Sequence, residues 1–146
     1  MEEQSYANHA KFVPLYHGVL SGLIVLAFLG SLLNLYRRFT QAPHVGRLSA
    51  ELITLITVAM LIQFLLSRVF PLKAQDRAIR AEENLRHFVL TGKLLDPRLG
   101  VKQIVALRFA SDAEFEELAR RAAAENFSPD MIKKSVRVWR ADHYRL

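Results

Sequence analysis

The residues with the most chemical potential in this sequence are His17, Asn34 and Gln63, because each sits in a stretch that carries no formal charge. Phe12 to Tyr36 contains no Asp, Glu, Lys or Arg, and neither does Leu52 to Ser67. Polar groups in such surroundings are candidates for a proton or ion path. None of the three is acidic, however, and a proton relay ordinarily uses Asp or Glu. One histidine in the first stretch and none in the second also falls short of two axial ligands for a haem. The simpler expectation is that these side chains tie helices together.

Other chemistries find less support. His9, His17, His44, His87 and His143 are scattered without metal-ligand spacing. There is no cysteine, which removes disulfides, thiolate metal sites and thiol nucleophiles. No glycine-rich phosphate loop is present. Glu114, Glu116 and Glu117 fall in the first half of a predicted helix, where the dipole favours acids. No nucleophile is paired with a base. These features predict a non-enzymatic protein without cofactor or metal.

The uncharged stretches are the elements that must position the polar residues. The first, 13–36, exceeds the roughly 20 residues that a helix needs to cross a bilayer. Tyr16 and Tyr36 lie near its ends, and Arg37 and Arg38 follow. The second, 51–72, counts Arg68 as a residue that snorkels to the headgroups. The connection, 37–50, is short and contains Pro43 and Gly46. An antiparallel transmembrane hairpin follows, with 1–12 as an N-terminal flank. The acidic start, Met1-Glu2-Glu3, is unlike a cleavable signal, so the first helix should remain as an anchor.

Within the hairpin, Gly18, Gly22 and Gly30 offer a small-residue face, and Gly18 to Gly22 reads GxxxG, which permits close approach in lipid. Antiparallel pairing predicts His17 bonded to Gln63 or Ser67, and Asn34 to Thr54 or Thr57. Basic flanks give the orientation. The loop holds Arg37, Arg38 and Arg47, while the other side holds Lys11, Arg68, Lys73, Arg77 and Arg80. The larger total predicts a cytoplasmic C-terminus, although the flanks of the first helix alone favour the reverse.

Residues 73–146 read as a soluble, basic domain of three to four helices, making the fold class all-α. The net charge of the chain is +6. A helix over 74–90 continues from the second span, with Ile79, Leu85, Phe88 and Val89 on one apolar side and Lys73, Arg77 and Arg80 in a basic stripe. Asp76 with Arg80 and Glu82 with Arg86 have i,i+4 spacing. Thr91-Gly92 and Asp96-Pro97 mark turns. A short helix spans 101–109. Ser111 and Glu114 form a capping box for a helix reaching about Glu125. Ser128 and Pro129 start a last helix, with Ile132, Val136 and Trp139 at helical spacing and Lys133, Lys134, Arg137 and Arg140 on its other faces. Three short helices invite a DNA-binding reading, but the last one carries Asp130 and Asp142 and no Asn or Gln to read bases. Nucleic acid is therefore not the expected partner. Membrane lipid and membrane subunits, or a second copy, are.

Several segments carry a resemblance. Gln4-Ser5-Tyr6-Ala7-Asn8-His9, Val13-Pro14-Leu15-Tyr16-His17, Val105 to Asp112, and Ile132-Lys133-Lys134 with Trp139, Asp142 and Arg145 resemble a family of small bacterial membrane proteins known as domain of unknown function 6526. The resemblance spans nearly the whole chain. It implies a bacterial inner-membrane protein with two helices, and it implies no activity and no functional residues. The expected role is a small accessory or scaffold subunit of a membrane assembly or a homo-oligomer. The alternatives are a tethered binder of DNA or anionic lipid, or a small oligomeric channel with Asn34 and Gln63 along its path.

Overall fold

A computed structural model of the chain describes residues 4–8, 12–41 and 45–142. His9, Lys11, Pro43, His44, His143 and Arg145, and the acidic start, lie outside the described residues. The protein is all-α, with no strand among those residues. Its elements are a π-helical opening, Leu15–Leu20, leading directly into α1, Ser21–Thr40; α2, Arg47–Thr91; α3, Val101–Leu107; α4, Asp112–Ala124; and α5, Pro129–Ser135. They divide into two compact units, Phe12–Phe70 and a second that contains Pro71–Leu146 together with the described N-terminal residues 4–8.

Two helices are long and apolar enough to cross a membrane: Leu15–Thr40, of 26 residues, and α2, of 45. The second exceeds by more than twofold the roughly 20 residues that a crossing requires. It continues through Pro71, although proline gives no N–H to the carbonyl four residues earlier. In the most apolar stretches of the two helices only 11% and 6% of residues are buried. A soluble core helix of such composition would be mostly buried.

In the second unit the apolar side chains do find one another. Leu95, Leu99, Ile104, Leu107, Phe109, Phe115, Leu118, Phe127, Ile132 and Val136 form one core, with Trp139 packed against it. Phe115, Leu107 and Ile132 are fully buried. Local chemistry sets the helix ends. Gln103 accepts the Gly100 N–H at 2.7 Å. Glu114 accepts the Ser111 N–H at 3.4 Å. Ser128 Oγ accepts the Met131 N–H at 3.2 Å, with Pro129 at the first helical position. Beyond α4, Asn126 takes a positive φ of 50°, and the Phe127 N–H reaches back to the Ala122 carbonyl at 3.1 Å. That is a Schellman closure using one of the few residues besides glycine that tolerate it.

Three expectations about this unit change. The last helix stops at Ser135, so Val136 and Trp139 reach the core from extended chain and not from a helix face. Trp139 pairs with Ala110 in an isolated antiparallel bridge, closed by Ser111 N–H to the Val138 carbonyl at 3.1 Å and Arg140 N–H to the Phe109 carbonyl at 2.8 Å. The helix ends because these non-local partners satisfy the backbone that a further turn would have used. On α2, Ile79 is buried while Leu85, Phe88 and Val89 are exposed. Nine residues separate Ile79 from Phe88, which is two and a half turns and hence opposite faces. The Asp76–Arg80 and Glu82–Arg86 pairs also do not form among the described residues. Arg86 turns to Glu83 and Asp112 instead.

Candidate functional site

The hairpin unit joins its helices through hydroxyl groups. Ser31 Oγ and Thr57 Oγ1 lie 2.9 Å apart, both buried. Thr54 Oγ1 contacts the Ser31 carbonyl at 3.3 Å. At the other end the Tyr16 hydroxyl donates to the Phe64 carbonyl at 2.7 Å and lies 3.2 Å from Ser67 Oγ, while the Tyr16 and Phe64 rings stack at 4.6 Å. Residue 16 facing 64 and residue 31 facing 57 define an antiparallel pair. Serine and threonine also bond carbonyls of their own helix, as Ser31 does to Phe28 at 2.7 Å and Thr57 to Thr54 at 2.9 Å.

These are not the pairings expected. His17 faces its own turn, accepting the Val13 N–H at 3.1 Å and stacking on Phe12 at 4.9 Å. It bonds neither Gln63 nor Ser67, and Tyr16 holds the place expected of it. Asn34 makes no side-chain hydrogen bond among the described residues, and Ser31, one turn earlier, meets Thr54 and Thr57 instead. Gln63 is exposed. Gly18, Gly22 and Gly30 are exposed too, and a Cβ added to any of them would meet nothing within 4 Å. The glycine face is not the seam of the hairpin. Ile24, Ser31, Ala50 and Thr57 are the buried residues there.

The basic residues fall into two groups. Lys73, Arg77 and Arg80 are exposed along α2, and Arg68 is half-buried. The C-terminal group is broken up. Only Lys133 and Lys134 belong to α5. Lys134 Nζ pairs with Asp130 at 2.7 Å. Arg140 lies 3.7 Å from buried Glu83, and the Arg137 N–H is held by Glu114 at 3.1 Å. Arg137 and Arg140 follow the end of the helix, so the four do not share one helical face. The Asp130 carboxyl is held below its ordinary range, first by the Lys134 ammonium and then by the Tyr6 hydroxyl, which donates to it at 2.5 Å. The Asp130 carboxylate in turn raises the Lys134 pKa.

Two residues do more here than their local spacing predicts. Arg86 is nearly buried. It reaches Glu83 at 2.9 Å, Asp112 at 2.6 Å and the Ala110 carbonyl at 2.7 Å, and it lies over the Phe115 ring at 4.3 Å. Glu114 accepts the backbone N–H groups of Ser111, Arg137 and Val138, so one carboxylate caps α4 and fastens the extended C-terminal segment. The capping-box spacing announced the first contact, and nothing local could announce the others. A cavity of about 290 Å³ opens beside Arg120, lined also by His87, Lys93, Leu95, Asp96 and Glu116. His87 Nδ1 lies 2.7 Å from the Lys93 carbonyl, and Arg120 is engaged by Glu117 at 2.7 Å. Among the described residues no three His, Asp or Glu side chains are placed to hold a metal ion.

Fold and site together define an all-α chain that joins a hydroxyl-bonded hairpin of apolar helices to a small helical domain. The chain belongs to a family of unknown function, DUF6526, whose model matches residues 1–146. No curated protein and no solved structure matches it.

Proposed function

We propose that this chain is a two-span integral protein of the bacterial inner membrane. It works without catalysis, as a small scaffold or accessory subunit of a membrane assembly or homo-oligomer. The observation that carries this reading is the exposure of the hairpin's apolar side chains. Leu15, Leu26, Leu55 and Leu65 are each more than 60% exposed, in helices whose apolar spans, 13–36 and, with Arg68 snorkelling, 51–72, are long enough to cross a bilayer. Hydrocarbon is the solvent that such surfaces suit, and water is not. The basic residues Arg68, Lys73, Arg77 and Arg80 favour the cytoplasmic side for the C-terminal domain.

The scaffold role draws on the glycine face of α1 and on Gln63, which the hairpin leaves uncovered. Small residues and amides are the groups by which helices associate in lipid. Binding to anionic lipid is a second activity that the exposed Lys73, Arg77 and Arg80 support, at roughly 1 kcal/mol for each residue near the surface. A DNA-binding reading is weakened by the dispersal of Lys134, Arg137 and Arg140. A channel reading draws only on Asn34 and Gln63.

The test is extraction of native membranes with alkaline carbonate, followed by gentle detergent purification through a tag. The chain should stay in the pellet and then purify in fixed ratio with other membrane subunits, or as a defined multimer. Release by carbonate overturns the membrane reading. Purification as a lone monomer overturns the scaffold reading.

A further inference from the structure

The part of α2 after Pro71 has two faces with different fates. One is used by its own domain: Ile79 and Glu83 are buried, and Arg86 is 11% exposed. Away from them runs a stripe of Ala74, Ala78, Ala81, Leu85, Phe88 and Gly92, every one exposed. Leu85 is 62% exposed and Phe88 50%. The spacings alternate between four and three residues, which is the repeat by which two helices wind around each other. The domain's own contacts leave this stripe uncovered.

We propose that the stripe is the seam of a parallel homodimer, packing against the same stripe of a second copy. The inference rests on the membrane reading above, because anchoring sets polarity. Two copies inserted alike leave the bilayer in the same direction, so their helices run parallel and start level. Charge selects a second copy as the occupant. With Ala78, Leu85 and Gly92 at the a positions and Ala74, Ala81 and Phe88 at d, Arg77 falls at g and Glu82 at the next e. Those positions face each other across a parallel pair. Symmetry makes two Arg77–Glu82 bridges, one on each side of the seam. Neither residue has an ion pair within its own chain among the described residues, since Arg86 is taken by Glu83 and Asp112.

The seam is also graded. Three alanines at its start let the backbones approach, and Leu85 and Phe88 fill the space further on. It is shorter than the three to four heptads, roughly, that a free-standing coiled coil shows. Confinement of both copies to one membrane supplies the effective concentration that the short seam lacks.

Because the chain has no cysteine, single cysteines report the geometry directly. Ala81→Cys and Leu85→Cys lie on the seam, and Lys73→Cys and Arg80→Cys lie off it, all at exposed positions. Disulfides form only where Cα atoms come within about 4.4–6.8 Å. Mild oxidation of the full chain in native membranes should give a several-fold excess of dimer at positions 81 and 85 over 73 and 80. In the Leu85→Cys background, Arg77→Glu should lower the yield several-fold, and adding Glu82→Arg should restore it. Equal yields at all four sites, no dimer, or failure of the charge exchange to rescue overturns the proposal. The purified Leu85→Cys chain also reports on lipid. If anionic vesicles shield the thiol of its monomer from an impermeant maleimide, the stripe belongs to lipid and the proposal falls. Carbonate extraction of the membrane samples separates the two readings. A chain retained in the pellet without cross-links defeats the seam alone. A chain released to the supernatant defeats the membrane reading, and the seam's polarity falls with it.

Discussion

Leu26 and Leu94 are exposed to nearly the same degree, 69% and 67%, yet they stand in regions that follow different rules. Around Leu26 the neighbours are apolar on every side, and the hairpin is joined by hydroxyls and small side chains. Around Leu94 the surface carries Lys93, Asp96 and Arg98, and the apolar residues are gathered in a core behind it. The C-terminal unit is organised by exclusion of water, which drives Phe109, Phe115 and Ile132 out of contact with solvent. The hairpin shows no such sorting. On the proposed reading its solvent is hydrocarbon, in which leucine gains nothing by hiding and a hydroxyl gains by finding a carbonyl.

The largest effect expected from this contrast is in the core. Phe115→Ala should cost the C-terminal domain about 3–5 kcal/mol, read from the unfolding of the full chain in mild detergent. The single tryptophan, Trp139, is the natural probe, since it lies 4.8 Å from the Phe109 ring. Leu26→Ala should leave that transition in place. Equal losses from the two variants would erase the distinction between the regions.

Next in size is the buried ion pair. Arg86→Met leaves Glu83 with only the longer Arg140 contact and should cost about 2 kcal/mol or more. Glu83→Met in the same chain should recover much of it, because two apolar groups replace a charge left alone. Failure to recover would mean that Asp112 and the Ala110 carbonyl, and not Glu83, are what Arg86 serves. Smaller still is the hairpin bond. Thr57→Val removes the hydroxyl that meets Ser31 and should weaken helix pairing by about 0.6 kcal/mol, with the Trp139 transition unchanged.

Legibility in the sequence followed the range of the interactions. Both apolar helices, the continuation of the second beyond Pro71, the Ser128-Pro129 start and the contact of Glu114 with Ser111 depend on neighbours within a few residues, and pattern reveals them. The end of α5 does not. Ile132, Val136 and Trp139 have helical spacing, but the Arg137 and Val138 N–H groups are claimed by Glu114, more than twenty residues away. The hairpin shows the same limit. Antiparallel pairing was readable, whereas its polar contacts fell one residue from His17, at Tyr16, and one turn from Asn34, at Ser31. Which face of a helix turns inward is decided by packing, and a uniformly apolar helix carries little record of it.

The smallest prediction concerns an exposed turn. Hydrogen bonds from Arg98 hold the Asp96 carboxyl at about 2, against an ordinary 3.8. A depressed carboxyl contributes its stabilisation above its unfolded value and loses it as pH falls through the folded one. The Asp96–Arg98 turn should therefore be intact above pH 3.8 and loosen towards pH 2. An NMR titration of Asp96 should show that midpoint, and Arg98→Ala should raise it only part of the way to the ordinary value, because the guanidinium is lost while the backbone N–H of residue 98 still donates to the carboxylate.

The most direct test of the central claim returns to the two leucines. Leu26→Asp and Leu94→Asp make the same change at nearly equal exposure. If hydrocarbon surrounds the hairpin, an aspartate at position 26 opposes insertion by roughly 2.5–3.5 kcal/mol. Carbonate extraction should then find much of the Leu26→Asp chain in the supernatant. The Leu94→Asp chain should stay in the pellet, with a domain stability within about 0.5 kcal/mol of the unaltered protein. Equal behaviour of the two variants, both retained or both released, would contradict the account.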